Sequence, residues 1–131
     1  MRRKLSSFLF WFSVVVLLIF SIRTGHAAEP QKIRCTCYTL KEFTATGEIP
    51  YQGMCAYRTE DIGKVAYLYE IDEDGNKGDF IGEFEIKDTG GKAVKKGHIV
   101  DVWRPDDEAV DEWITNYGDY VYMEIGESNG F

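Results

Sequence analysis

Five short segments between Ile33 and Ile125 carry strand character, and that recurrence commits the chain to a sheet. Ile33, Cys35 and Cys37 alternate with Arg34, Thr36 and Tyr38. Val65 to Ile71 is rich in tyrosine and apolar residues, Asp72 to Gly78 is a cluster of turn formers, and Phe80 to Ile86 reads as the returning strand. On that strand Phe80, Gly82, Phe84 and Ile86 share one face, whereas Glu83, Glu85 and Lys87 point the other way. Asp88 continues the apolar face, so the alternation expects a carboxylate on the inward side of the strand's end. Ile99 to Trp103 sets Val100 and Val102 against Ile99, Asp101 and Trp103, and Tyr120 to Ile125 is the last segment. One helix stands among them. Asp106 caps it, Asp107 and Glu108 sit in its first turn where the dipole favours acids, and Gly118 closes it. Its apolar stripe is Ala109, Val110, Trp113, Ile114 and Tyr117. Residues 43–53 read as loop, punctuated by Gly47, Pro50 and Gly53. The expectation is an all-β domain with one peripheral helix.

The strands are preceded by a segment of another kind. Arg2, Arg3 and Lys4 lead into an apolar run from Phe8 to Ile22, and small residues at Gly25 and Ala27 fit a signal-peptidase site. A helix over that run spans about 22 Å, short of the ~30 Å hydrocarbon core. Residues 1–27 are therefore expected to be a signal peptide cleaved after Ala27, with an uncleaved anchor as the alternative. Residues 28–131 are then one secreted, extracellular domain. The leader holds four of the basic residues and no acid, so residues 28–131 carry eleven Lys and Arg against 22 Asp and Glu, a net charge of −11. An acidic field of that size argues against nucleic acid as a partner, because phosphate binding rewards Lys and Arg. Three cysteines remain, Cys35, Cys37 and Cys55. In an oxidising compartment an odd count leaves one disulfide with a free thiol, no disulfide, or pairing with another chain. Cys35 and Cys37 share a face of one strand and are awkward to join, so a bridge from either to Cys55 is the expected pairing. Three cysteines without close histidines match no zinc spacing, and no metal is expected.

The residues best suited to chemistry are Asp88 and Asp101. Asp88 opens Asp-Thr-Gly-Gly, a turn whose Thr89, Gly90 and Gly91 leave room for a ligand to approach the backbone. Asp101 stands mid-strand with Trp103 on its own face, and a carboxyl beside an indole is desolvated and holds its proton to higher pH. Such a pair suits general acid/base work on a glycosidic bond. The structural alternative makes Asp88 an Asx-turn nucleator and Asp101 a surface residue of an edge strand. Two other patterns weigh less. Asp72, Asp74, Asn76 and Glu83 fall at EF-hand positions, but Lys77 occupies the place of the required glycine and the flanks read as strands. Asp-Thr-Gly also marks single-lobe aspartic proteases, which need apolar residues before the aspartate where Lys87 stands here. Lys92, Lys95 and Lys96 form a small basic run between the two aspartates, a solvated loop or a contact for a substrate carboxylate or phosphate.

Phe43-Thr44-Ala45-Thr46-Gly47, Ile86-Lys87-Asp88-Thr89-Gly90-Gly91 and His98-Ile99-Val100-Asp101-Val102-Trp103 together resemble the three-aspartate (3D) domain family. The resemblance runs from about Ile33 to Ile125. It implies a six-stranded double-psi β-barrel and a relation to lytic transglycosylases that cleave peptidoglycan glycan strands. It also implies action at the cell wall, as a monomer, without a cofactor. On this reading Asp101 matches the family's acid/base aspartate and Asp88 its second. Thr89, Gly90, Gly91, Trp103 and Arg58 would lie on the substrate side. The third aspartate falls near Cys55-Ala56-Tyr57-Arg58, where Arg58 stands in its place. That departure opens the alternative of a non-catalytic wall-binding or interaction module on the same barrel.

Overall fold

A computed structural model describes residues 31–128. The leader expected at residues 1–27 lies outside them. The strands are β1 (Gln31–Tyr38), β2 (Met54–Ala56), β3 (Val65–Ile71), β4 (Lys77–Asp88), β5 (Ile99–Trp103) and β6 (Tyr120–Gly126). They close into a barrel in the order β1-β5-β2-β4-β3-β6. Two pairings, β1 with β5 and β2 with β4, are parallel, and the other four are antiparallel. Sequential strands that are not neighbours in the barrel are joined by the longer connections: the 39–53 segment between β1 and β2, the helix α1 (Lys92–Lys95) between β4 and β5, and the helix α2 (Asp107–Tyr117) between β5 and β6. The barrel closes on strands from Gln31 to Gly126, so among the described residues each strand has a neighbour on both sides.

Four of the five expected strands match within a residue or two, and β4 runs longer than the expected Phe80 to Ile86. The sixth, β2, has no pattern to read because it is buried on both faces. Cys55 joins the barrel core with Ile33, Cys35, Leu68, Phe84, Ile86, Val100, Val102, Val121 and Met123. Met54 and Ala56 alternate to the outer face and are buried there as well. A continuous apolar triplet is the expected outcome for a strand covered from both sides.

Register shifts in β4 overturn the simple parity expected from the sequence. Leu68 pairs with Gly82 but Tyr69 pairs with Phe80, leaving Ile81 as the extra residue. The side chains beyond it exchange faces, so Phe80, expected inward, is 54% exposed and packs on Tyr69 with ring centroids 5.3 Å apart. A shift on the other side of β4 lies where Cys55 pairs with Ile86 and Ala56 with Asp88, so Lys87 is the extra residue. Asp88 is thereby carried from the face of Ile86 to that of Ala56. It is buried, as expected, yet against the outer wall of the barrel.

The cysteines also depart from expectation, for all three are free. Cys37 and Cys55 both pair with Val102, from opposite sides of β5. Two strand spacings separate them by about 10 Å, beyond the ~7 Å Cα limit for a disulfide. Burial pushes the Cys35 and Cys55 thiols far above their ordinary range and Cys37 up to about 11, which leaves them protonated and inert.

The helix expected from Asp106 onward is present, with the Asp106 carboxylate accepting the Ala109 N–H at 2.8 Å. Its buried stripe is narrower than the sequence suggests. Trp113 is buried, edge-on to both Phe84 and Tyr117, whereas Ile114 is half exposed. Trp113 therefore does most of the work of docking the helix to the barrel. Trp113→Ala should cost about 3–5 kcal/mol in urea unfolding, while the exposed Asp111→Ala should stay within about 0.5 kcal/mol. Equal losses would contradict this packing.

Candidate functional site

The bulge at Lys87 assembles the site. Thr36 pairs with Asp101 across β1 and β5, Asp101 with Ala56 across β5 and β2, and Ala56 with Asp88 across β2 and β4. Residues in one row across neighbouring strands share a face. Thr36, Asp101, Ala56 and Asp88 thus form a line on the outer wall, with the aspartates either side of a small alanine. Their Cα atoms are two strand spacings apart, about 10 Å.

Asp88 is held from three directions. Its Oδ1 accepts the backbone N–H groups of Ala45 and Thr89, both at 2.9 Å, and its Oδ2 accepts the Tyr38 hydroxyl at 3.3 Å. Ala45 belongs to the 39–53 segment, which crosses this face, so the carboxylate ties that segment down. Trp103 secures it further along, its indole N–H donating to the Leu40 carbonyl at 2.6 Å. Burial raises the Tyr38 phenol well above its ordinary range, and the charge of Asp88 and the hydrogen bond to it push the same way, so Tyr38 is a fixed donor.

Asp101 is the more accessible of the two. It is partly buried, and its Oδ1 accepts the Thr36 hydroxyl at 2.9 Å. Burial lifts its carboxyl above the ordinary aspartate value; the Thr36 hydrogen bond opposes that rise, and the nearby charge of Asp88 adds to it. Asp88 makes no hydrogen bond to Asp101 and acts on it through charge alone. The arrangement is a carboxyl whose proton affinity is raised, oriented by a hydroxyl and biased by a second carboxylate that is itself pinned.

Of the residues singled out by sequence, Asp88, Asp101, Thr89 and Trp103 come together on this wall. Thr89 contributes its backbone N–H, and its hydroxyl is buried without a partner. Gly90 packs against Val94 of α1, where a Cβ would meet the valine at 3.2 Å, and Gly91 caps that helix. Arg58 does not join them. It pairs with Asp61 at 2.6 Å and Glu60 at 3.3 Å at one end of the barrel and makes no ion pair with Asp88 or Asp101. Thr36 and Tyr38 escaped the sequence reading. Both are ordinary strand residues until the parallel β1–β5 register sets Thr36 opposite Asp101, and nothing local in the sequence encodes that register. The Asp72 turn uses its carboxylate locally, accepting the Asp74 and Asn76 N–H groups at 3.0 and 2.8 Å.

No protein-family model, curated protein or solved structure matches this chain.

The raised Asp101 carboxyl has a consequence for stability. An acid whose folded pKa lies above its unfolded one stabilises the fold fully below the unfolded value, near 3.9, and that contribution is lost as pH rises through the folded value. Ionised Asp101 is therefore a cost at neutral pH. Asp101→Asn should match or exceed the wild type in urea midpoint at pH 7, and the difference should shrink on acidification through the aspartate range. A variant that is less stable at neutral pH and gains on acidification would contradict the assignment.

Proposed function

We propose that the protein cleaves peptidoglycan glycan strands by a lytic transglycosylase route, with Asp101 as its acid and base. The observation that carries this reading is the raised carboxyl of Asp101, partly exposed beside the pinned carboxylate of Asp88. Asp101 would protonate the glycosidic oxygen as the bond from C1 to that oxygen breaks. The resulting carboxylate would take the proton of the muramyl 6-hydroxyl as that oxygen bonds to C1, giving a 1,6-anhydro end and returning Asp101 to its acid form. Asp88 favours the protonated acid at rest and stabilises positive charge at the anomeric carbon through its field. Thr36 orients the acid. The closed six-stranded barrel with two parallel pairings is in keeping with a double-psi barrel of the three-aspartate kind, and the reading also takes the leader as a secretory signal.

One observation favours a second reading. The Asp88 carboxylate is taken up by contacts within the fold, to Tyr38, Thr89 and Ala45 of the 39–53 segment, and Arg58 at the third aspartate's place is engaged elsewhere. The same residues suit a wall-binding module without turnover. Asp101→Asn separates the two. Digestion of isolated sacculi, followed by mass spectrometry for 1,6-anhydromuramyl ends, should fall by at least about a hundredfold, the scale of losing a general acid. A binding module would release no such ends as wild type and would sediment with sacculi before and after the substitution.

A further inference from the structure

At the end of the barrel where β1, β3 and β5 begin, a polar cleft of about 570 Å³ opens, with Arg58, Asp61, Lys64, Lys96 and His98 among its walls. Arg58, Lys64 and Lys96 bring three positive charges to it in a chain whose net charge is −7. Asp61 lies 2% exposed in the wall and is shared by two cations, Arg58 at 2.6 Å and Lys64 at 3.1 Å. One buried acid is thus shared by two bases, whose other carboxylate contacts, Glu60 and Glu127, are exposed. Lys96 is exposed and has no carboxylate partner among the described residues.

Arg58 is built into place. Its Nε donates to Asp61, its guanidinium lies 5.6 Å from the centre of the Tyr57 ring, and its stem runs against Gly97. Gly97 has φ +80°, and a Cβ there would come within 2.9 Å of the Arg58 Cδ, so glycine serves both the turn and the arginine's seat. Only Nε of the guanidinium makes a hydrogen bond among the described residues, which leaves the two terminal nitrogens free. A guanidinium held by one nitrogen and lying over an aromatic ring, with both terminal donors open, is arranged for a planar or tetrahedral oxyanion. Glu60, 3.3 Å from Nε and 63% exposed, and Glu127, 4.0 Å from Lys64 and 86% exposed, already reach in from the rim. Exposed pairs of that kind are weak and readily exchanged.

We propose that this cleft binds an oxyanion, the carboxylate or phosphate group of a ligand, through the terminal nitrogens of Arg58 with Lys96 as second contact. The site is separate from the Asp88–Asp101 wall and does not depend on the chemistry proposed there. Protein recovered from cells expressing the full chain would be titrated with acetate and, separately, inorganic phosphate at constant ionic strength, following amide NMR shifts. Saturable shifts confined to residues 57–64 and 96–98 are expected with one or both, and the tighter anion identifies the ligand class. Arg58→Gln should weaken binding about tenfold or more, the scale of a lost charge-assisted contact. Because that substitution leaves Asp61 with one partner, Lys96→Gln provides a second test. It leaves the Asp61 cluster intact, should keep the thermal midpoint, and should weaken binding severalfold. Shifts that fail to saturate, that spread equally over other surface lysines, or that persist unchanged in both variants would overturn the site.

Discussion

A buried carboxylate with every hydrogen bond supplied organises one wall of this barrel. Asp88 would be costly where it lies without donors, because an unpaired buried charge forfeits its whole hydration. Two backbone N–H groups and the Tyr38 hydroxyl meet that demand. One of them, the Ala45 N–H, ties the 39–53 segment to this wall. The one-residue bulge at Lys87 is what makes this possible, since it turns the aspartate out of the barrel's apolar interior and onto the face that Asp101 shares.

The same geometry divides the labour between the two acids. Asp88 is saturated and enclosed, so its reach is electrostatic. Asp101 keeps a single hydroxyl partner and partial exposure, so it can meet a reacting oxygen. Their separation across Ala56 lets one bias the other without a direct bond. The barrel-end cleft adds a contrast, for there a buried aspartate steers an arginine instead of an acid.

Much of this was legible in the sequence wherever the physics is local. The period-two segments located five strands, the Asp106 cap and Trp113 located the helix, and the Asp-Thr-Gly-Gly and Val-Asp-Val-Trp elements drew attention to Asp88 and Asp101. What failed was non-local. β2 offers no alternation because it is covered on both faces, and the bulges at Ile81 and Lys87 break the parity that placed Phe80 and Asp88 inward. The expected bridge to Cys55 failed because β5 lies between the strands, an order that no spacing of cysteines discloses. Thr36 and Tyr38 stayed hidden for the same reason.

The account stands on the coupling of Asp88 to Asp101 across a shared face, and the titration of the Asp101 carboxyl carbon by NMR measures it directly. The account predicts an Asp101 pKa above the ordinary aspartate value of about 3.9, falling towards that value in Asp88→Asn as the neighbouring charge is removed. An ordinary pKa in the wild type, or one that Asp88→Asn leaves unmoved or raises, would contradict it.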